Sequence, residues 1–372
     1  MKIVFLCSCL EQGRDGVGDY TLRFSAALIK LGHSVTAISL NDKFVSSEII
    51  GSQLVDGIEI RVIRLPHFWS RNKGFKSAKI WITNLNPDWV SIQFVIFAFD
   101  NKGLPFFLAH HFKKITEGRL CHIMFHELWV GIHTNSSLKF FLWGQLQMQI
   151  IKKLILKLKP SVIHTNTHLY KNKLLTLGFP AAYLPLFGNI PAVNLPTEIK
   201  QISSENVLAL VLFGTIHAVV IVKEFLKEFL LYSRQLNKSL MVTILGHTGP
   251  EVSIWITSLT ELSVSYVLTG ELSTTKISEI LSASTIGIST TPIEFAEKSG
   301  TIAAMREHGL PVICVSDATP LNLINNFSPP EGVYNYFSDS LIELLGNLHN
   351  LPHSLQIHQI SLQLEKAFIE NS

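Results

Sequence analysis

Short apolar runs alternate with longer helical patterns along almost the whole chain, and this alternation limits the fold more than any other feature. In the first half the runs are Lys2–Cys9, Ser34–Leu40, Trp89–Phe94, Leu120–Phe125 and Val162–Thr165, with a helical stretch such as Tyr20–Leu31 between the first two. The second half repeats the arrangement with Val207–Phe213, Leu240–Leu245, Tyr266–Thr269, Thr285–Thr290 and Pro311–Val315. Runs this short and this apolar suit strands buried on both faces, which requires a parallel sheet covered by helices on each side. A chain of 372 residues exceeds one ordinary core, so the pattern predicts an α/β protein with two doubly wound βα domains. Pro185, Gly188, Pro191, Pro196 and a Ser-Ser pair mark a linker, which divides the chain into residues 1–191 and 192–350. Residues 351–372 have apolar positions at helical spacing and are expected to form a terminal helix seeking a partner surface.

Composition narrows the class. The chain is 47% hydrophobic and 16% charged, yet no apolar run reaches the roughly 18 to 20 residues that span a bilayer. Its start, MKIVFLCSCLEQGRDG, has the length of a strand rather than a secretory h-region, so a cytoplasmic chain, soluble or peripheral at the inner membrane face, is expected. Cys7, Cys9, Cys121 and Cys314 lie in strand-like runs without metal-ligand spacing, and His126-Glu127 is followed by His133, not by a histidine one helical turn on. No metal is expected. The net charge of +3 hides an asymmetry: residues 1–190 carry 22 Lys and Arg against 11 Asp and Glu, and the remainder 9 against 17. The cations gather in Arg71–Lys79, His110–Lys114 and Ile151–Lys159, interleaved with Phe, Ile and Leu. That mixture suits an anionic membrane surface better than nucleic acid, for which no motif is present; a solvated face is the plain alternative.

Ligands of open parallel sheets sit beyond the carboxyl ends of the strands. The richest such loop is IEFAEKSGTIAAMREHGLPVICV, residues 293–315, in which Lys298, Ser299, Gly300 and Thr301 open a helix before a buried strand. Unpaired N–H groups at a helix start, a glycine permitting close approach and a neighbouring lysine form an anion site suited to phosphate. A capped helix beside a solvated lysine is the structural alternative. After the first strand, Gly13, Gly16 and Gly18 fall as GxxGxG rather than GxGxxG; Asp42 after the second could imitate the ribose acid of a dinucleotide site. His126 and Glu127 follow another strand and could orient a sugar hydroxyl, or simply be structural. Gly214, Thr215 and His217, with Lys223 in or near the next helix, could meet a phosphate, and Gly270-Glu271 either touches a base or forms a turn.

In combination, GVGDYTLRFSAALIKLGHSV, PDWVSIQF with KGLP, FHELW, FGTIH, LTGELSTTKISEILSASTIGIS and KSGTIAAMREHGLPVI resemble, in order and spacing, the GT-B glycosyltransferases of the retaining family 4 group. The resemblance covers most of the chain. It implies two Rossmann-like domains facing a central cleft, a nucleoside-diphosphate sugar held mainly by the second, and a glycan, lipid-linked or polysaccharide acceptor held mainly by the first. It further implies transfer with retention, no metal, and a terminal helix that packs back on the first domain. By position, Gly16 and Gly18 would lie near the donor phosphates and the acceptor, His126 near the transferred sugar, and Ser299, Gly300 and Thr301 on the pyrophosphate with Lys298 beside them. The pattern departs from the family at its glutamate pair. Counting back from Gly309 puts Ala304 and Ala296 there, and aligning on the Ala-Met step puts Ala303 and Phe295. The arginine usual after the FG turn is replaced by Thr215 or Ile216. A sugar-nucleotide epimerase and a catalytically silent binder or assembly partner are therefore the alternatives to a transferase.

Overall fold

The computed structural model describes residues 1–132, 137–192, 206–219, 221–316, 329–337, 340–348 and 356–372. His133 and the linker around Pro196 lie outside them. The chain forms two compact units, Met1–Pro185 with Ile357–Ser372, and Leu186–Gln356. The passage from one to the other follows Pro185, six positions before the sequence-based boundary.

The first unit is an eight-stranded sheet: β1 (Lys2–Cys7), β2 (Ser34–Asp42), β3 (Ile49–Val55), β4 (Ile58–Pro66), β5 (Trp89–Phe94), β6 (Leu120–Phe125), β7 (Val162–Thr165) and β8 (Ala182–Tyr183). Its order is β3-β4-β2-β1-β5-β6-β7-β8, parallel except for the antiparallel β3–β4 pair. Its helices are α1 (Gly16–Lys30), α2 (Arg71–Leu85), α3 (Leu108–Thr116), α4 (Leu138–Leu158) and α5 (His168–Thr176). Sequence dictates where they start: Asp15, Ser70, Ser137 and Thr167 each turn a side-chain oxygen to an N–H of the first turn. The strands β5 and β6 have no exposed residue, so their polar members Ser91, Gln93 and His122 are buried along with the apolar ones, as a sheet covered on both faces requires.

The second unit contains β9 (Val207–Phe213), α6 (Val222–Gln235), β10 (Ser239–Leu245), α7 (Val252–Glu261), β11 (Ser265–Leu268), α8 (Thr274–Ala283), β12 (Ile286–Ser289), α9 (Gly300–Glu307), β13 (Val312–Cys314), β14 (Val333–Asn335) and α10 (Leu341–Gly346). Its six parallel strands follow the order β11-β10-β9-β12-β13-β14. Counted from β9 this is the Rossmann winding, with its reversal between β9 and β12. Phe225, Phe229, Trp255 and Tyr336 fill the core on one face, and Ile302, Met305 and Leu281 on the other.

A further helix, α11 (Gln356–Glu370), belongs with the first unit. Phe368 stacks on Trp89 with ring centres 4.1 Å apart and planes 5° from parallel, and Glu365 pairs with His33 at 2.9 Å. Among the described residues no helix is long and apolar enough to cross a membrane.

Candidate functional site

At the reversal between β9 and β12 a cavity of about 350 Å³ opens beyond the carboxyl ends of the strands. Five of the residues singled out from sequence line it: Thr215, His217, Ser299, Gly300 and Thr301. Thr291, Phe213, Asn189 and Ile190 complete the lining. Ser299 is extended and N-caps α9; its hydroxyl accepts from the Ile302 N–H at 3.4 Å and lies 3.1 Å from the Thr301 hydroxyl. The N–H groups of Gly300 and Thr301 have no acceptor inside the helix, and the helix dipole adds about half a positive charge at this end. A Cβ added to Gly300 meets nothing within 4 Å, so the residue faces open space. Such a wall, rich in hydroxyls and N–H groups, favours an anion.

Gly214 serves packing rather than ligand approach. Its φ is +90°, and an added Cβ would fall 2.6 Å from Thr301 Cγ2, so glycine lets the loop after β9 close against α9. The same loop is tied to the end of β12, where the His217 N–H donates to Thr290 Oγ1 at 2.8 Å.

Other predicted donor contacts fall away from this cavity. Lys298 ends a 3₁₀ turn, Ile293–Lys298, with Nζ 4.7 Å from the centre of the Phe295 ring, and is not part of the cavity lining. Lys223 is an exposed residue of α6 paired with Glu261 at 2.5 Å. Gly270 and Glu271 form an exposed turn after β11, and the Gly270 carbonyl accepts from the Gly246 N–H at 3.1 Å. Ala296 and Ala304, which stand where the glutamates were sought, are both buried in the apolar cluster beneath α9. A Cβ on Gly188 would come within 2.7 Å of the Ala304 backbone, so α9 is tightly packed there.

In the first unit, the start of α1 is filled from within. The Gly18 N–H donates to Asp15 Oδ1 at 2.7 Å and the Gly13 N–H to Asp19 Oδ1 at 2.9 Å. Two carboxylates at the helix start oppose the approach of a phosphate, contrary to what Gly16 and Gly18 suggested. Gly18 is required because an added Cβ would lie 2.5 Å from the Cys9 carbonyl oxygen, whereas Gly16 has open space. Asp42 is likewise committed to structure. It is fully buried and accepts from Arg64 Nε at 2.8 Å and Nη2 at 3.0 Å, and from the Leu10 and Phe44 N–H groups. Burial alone would raise its pKa, but these donors hold the carboxyl below its ordinary value. It has no role left for a ribose.

His126 sits just past β6, buried, with its ring edge-on to Tyr20 at 4.8 Å. Burial drives its pKa down to about 3, so the imidazole is neutral near pH ~7 and acts as a hydrogen-bonding group rather than a proton carrier. It heads a buried polar chain that the sequence did not reveal. His126 Nε2 is 2.9 Å from Gln93 Oε1, Gln93 Nε2 donates to Ser91 Oγ at 2.8 Å, and Ser91 Oγ is 2.8 Å from His122 Nδ1. His122 Nε2 lies 3.1 Å from His164 Nδ1. With the Gln93 oxygen toward His126, every bond runs the same way: His126 donates through Nε2, and its Nδ1 carries the lone pair. Glu127 follows it in the loop, partly buried.

A second cavity, about 620 Å³, lies at the ends of β2 and β4 and was also missed. Asn41, Lys43, His67, Trp69 and Arg71 line it, together with Asn101 from the loop after β5. Arg71 was grouped with a surface cluster, yet its guanidinium lies 4.0 Å from the centre of the Phe107 ring and 3.7 Å from Asp100. The available signal was Ser70, an N-cap residue placing Arg71 at the first position of a helix on the ligand side of the sheet.

No family model matches the chain, and no curated protein sequence matches it. Solved structures do. HepE from Anabaena, in complex with UDP and glucose, aligns over 100% of both chains at 14% identity and a TM-score of 0.60. A putative UDP-N-acetylglucosamine 2-epimerase from Listeria monocytogenes aligns over 99% of this chain and 97% of its own, at 14% identity and a TM-score of 0.58. The catalytic domain of starch synthase IV from Arabidopsis thaliana, bound to ADP and acarbose, covers 99% of each chain at 10% identity and a TM-score of 0.54. The fold is GT-B. In GT-B terms the two largely parallel sheets are its Rossmann-like halves, and the β9/β12 cavity occupies the switch point of the second.

Proposed function

We propose that this GT-B protein binds a nucleoside-diphosphate sugar in its second unit and transfers the sugar, with retention, to a glycan, lipid-linked or polysaccharide acceptor held by the first, in the manner of the retaining family 4 group. The observation carrying this reading is the cavity at the switch point, lined by Thr215 and by Ser299, Gly300 and Thr301 at the start of α9. The departing nucleoside diphosphate gains charge as the glycosidic bond breaks, and donors already aimed at that place stabilise it without reorganisation. His126, neutral and fixed in one tautomer by Gln93, would orient a hydroxyl of the sugar through its Nδ1 lone pair. Glu127 is the adjacent carboxylate. The acceptor would occupy the cavity of Lys43, His67 and Arg71.

The name of the Listeria neighbour supports a second reading, a sugar-nucleotide epimerase. The experiment is a thermal-shift panel of UDP, GDP and ADP with their sugar conjugates, followed by incubation of the stabilising sugar nucleotide with and without acceptor glycans. Turnover that requires an acceptor supports transfer; an epimerised or hydrolysed sugar without acceptor supports the second reading. No shift with any nucleotide would overturn both.

A further inference from the structure

Between Glu127 and Glu198 the sequence has seven lysines and neither Asp nor Glu. The centre of this stretch is α4, whose inner face is apolar and buried through Ile150, Ile151, Leu154 and Ile155. Its outer face is not the polar surface expected of a helix covering a sheet. The first turns expose Leu138 (73%), Phe141 (48%), Leu142 (57%) and Leu146 (51%), and farther along the same side stand Lys153, Leu156 and Lys157. Packed beside it, α3 adds Lys113 and Lys114. Lys114 and Lys157 lie close enough to the exposed His110 ring to push its pKa down, Lys114 foremost.

The apolar end of α4 is joined to the ligand side of the unit. A helix following a parallel strand runs back along the sheet, so the start of α4 lies at the carboxyl ends of the strands. Gln147 accepts from the Val130 N–H at 2.9 Å, and a Cβ on Gly144 would sit 1.9 Å from the Val130 carbonyl, clasping the loop that follows His126 to the helix. Trp143 Nε1 donates to the Lys102 carbonyl at 2.8 Å, bringing in the loop after β5, where Phe106 is 59% exposed.

We propose that the outer face of α4, with α3 and the loop bearing Phe106, docks on an anionic phospholipid surface, apolar side chains entering the interface and lysines meeting phosphates. Charge complementarity selects this occupant. A second copy of the chain would set one lysine face against another, and protein interfaces favour Arg while disfavouring Lys. Lysine's flexible stem, in contrast, carries its ammonium to the headgroup level while the stem stays apolar. Docking stands without the sugar-nucleotide reading. Its corollary, that the acceptor is an amphiphile met at the membrane, rests on that reading.

The test is cosedimentation of the full chain with phosphatidylcholine vesicles, with and without phosphatidylglycerol, at low and high salt. Binding is expected only with the anionic lipid and should fade with salt. Lys153→Glu with Lys157→Glu should weaken it at least tenfold, since each lysine near such a surface is worth about fivefold. Phe141→Ser with Leu142→Ser, at exposed positions that leave the core intact, should weaken it as well while leaving the melting temperature unchanged. No binding at low salt, equal binding to neutral vesicles, or a dimer dissolved by Phe141→Ser would each overturn the proposal. Nucleotide-induced thermal shifts in the same preparation read out the donor site separately, so failure of one reading is not mistaken for failure of the other.

Discussion

Mild acid should loosen the first unit through its buried imidazoles. Burial places His126 at about 3 and His164 at about 4, while an imidazole in the unfolded chain titrates near ~6.5. Near pH ~7.5 neither state holds the proton, and the histidines cost nothing. As the pH falls below ~6.5, the unfolded chain takes up protons that the folded unit refuses, and stability declines by about 1.4 kcal/mol per pH unit for each histidine. At pH ~5 that amounts to about 2 kcal/mol apiece, or about 4 kcal/mol for the pair. His122, depressed by burial and then by His164 and His126, acts in the same direction. The decline should level off only below the folded values. Urea unfolding of the parent chain and of His164→Asn, each at pH ~7.5 and ~5, isolates one member of the chain from the other titrating groups. The variant loses the contact to His122 and is less stable at both pH values, but its acid-induced loss should be smaller by about 2 kcal/mol. Equal acid sensitivity in the two proteins would refute the claim that burial keeps His164 neutral.

Gly300→Ala should leave the fold intact or stabilise it by about 0.5–1 kcal/mol, because its Cβ enters open space in a helix, while Gly300→Val weakens nucleotide binding; calorimetry checks both. Gly214→Ala should destabilise by about 1–3 kcal/mol, and Thr301→Ser, which removes the methyl 2.6 Å away, should recover part of it; a double-mutant cycle with no coupling would count against the contact. Gly18→Ala, facing a backbone oxygen that no side-chain rotation can move, should lower the melting temperature markedly, whereas Gly16→Ala should not.

Much of the winding was legible because strands buried on both faces leave uninterrupted apolar runs, as in Ile3–Cys7 of β1 and in β9. The β3–β4 hairpin was not read, although Asp56-Gly57 marks its turn and both residues adopt positive φ. Its strands are partly exposed and mixed in polarity, so the apolar-run signal is weak there. At the site, Ser299–Thr301 could be read because a capped helix start is a local feature, whereas Lys298 could not be placed: local sequence does not say where a long side chain settles. The Gln93–Ser91–His122–His164 chain was invisible for another reason. Its members are spread over three strands, and only sheet register brings them within hydrogen-bonding distance.

The return of α11 to the first unit sets an order of events during synthesis. Trp89, the intervening second unit and Phe368 are made in that sequence, so the indole face later covered by Phe368 waits while the whole of Leu186–Gln356 leaves the ribosome. Until then the first sheet is an unfinished surface with a large aromatic ring and the His33 side chain uncovered, an invitation to misassembly that a nascent-chain chaperone could shield.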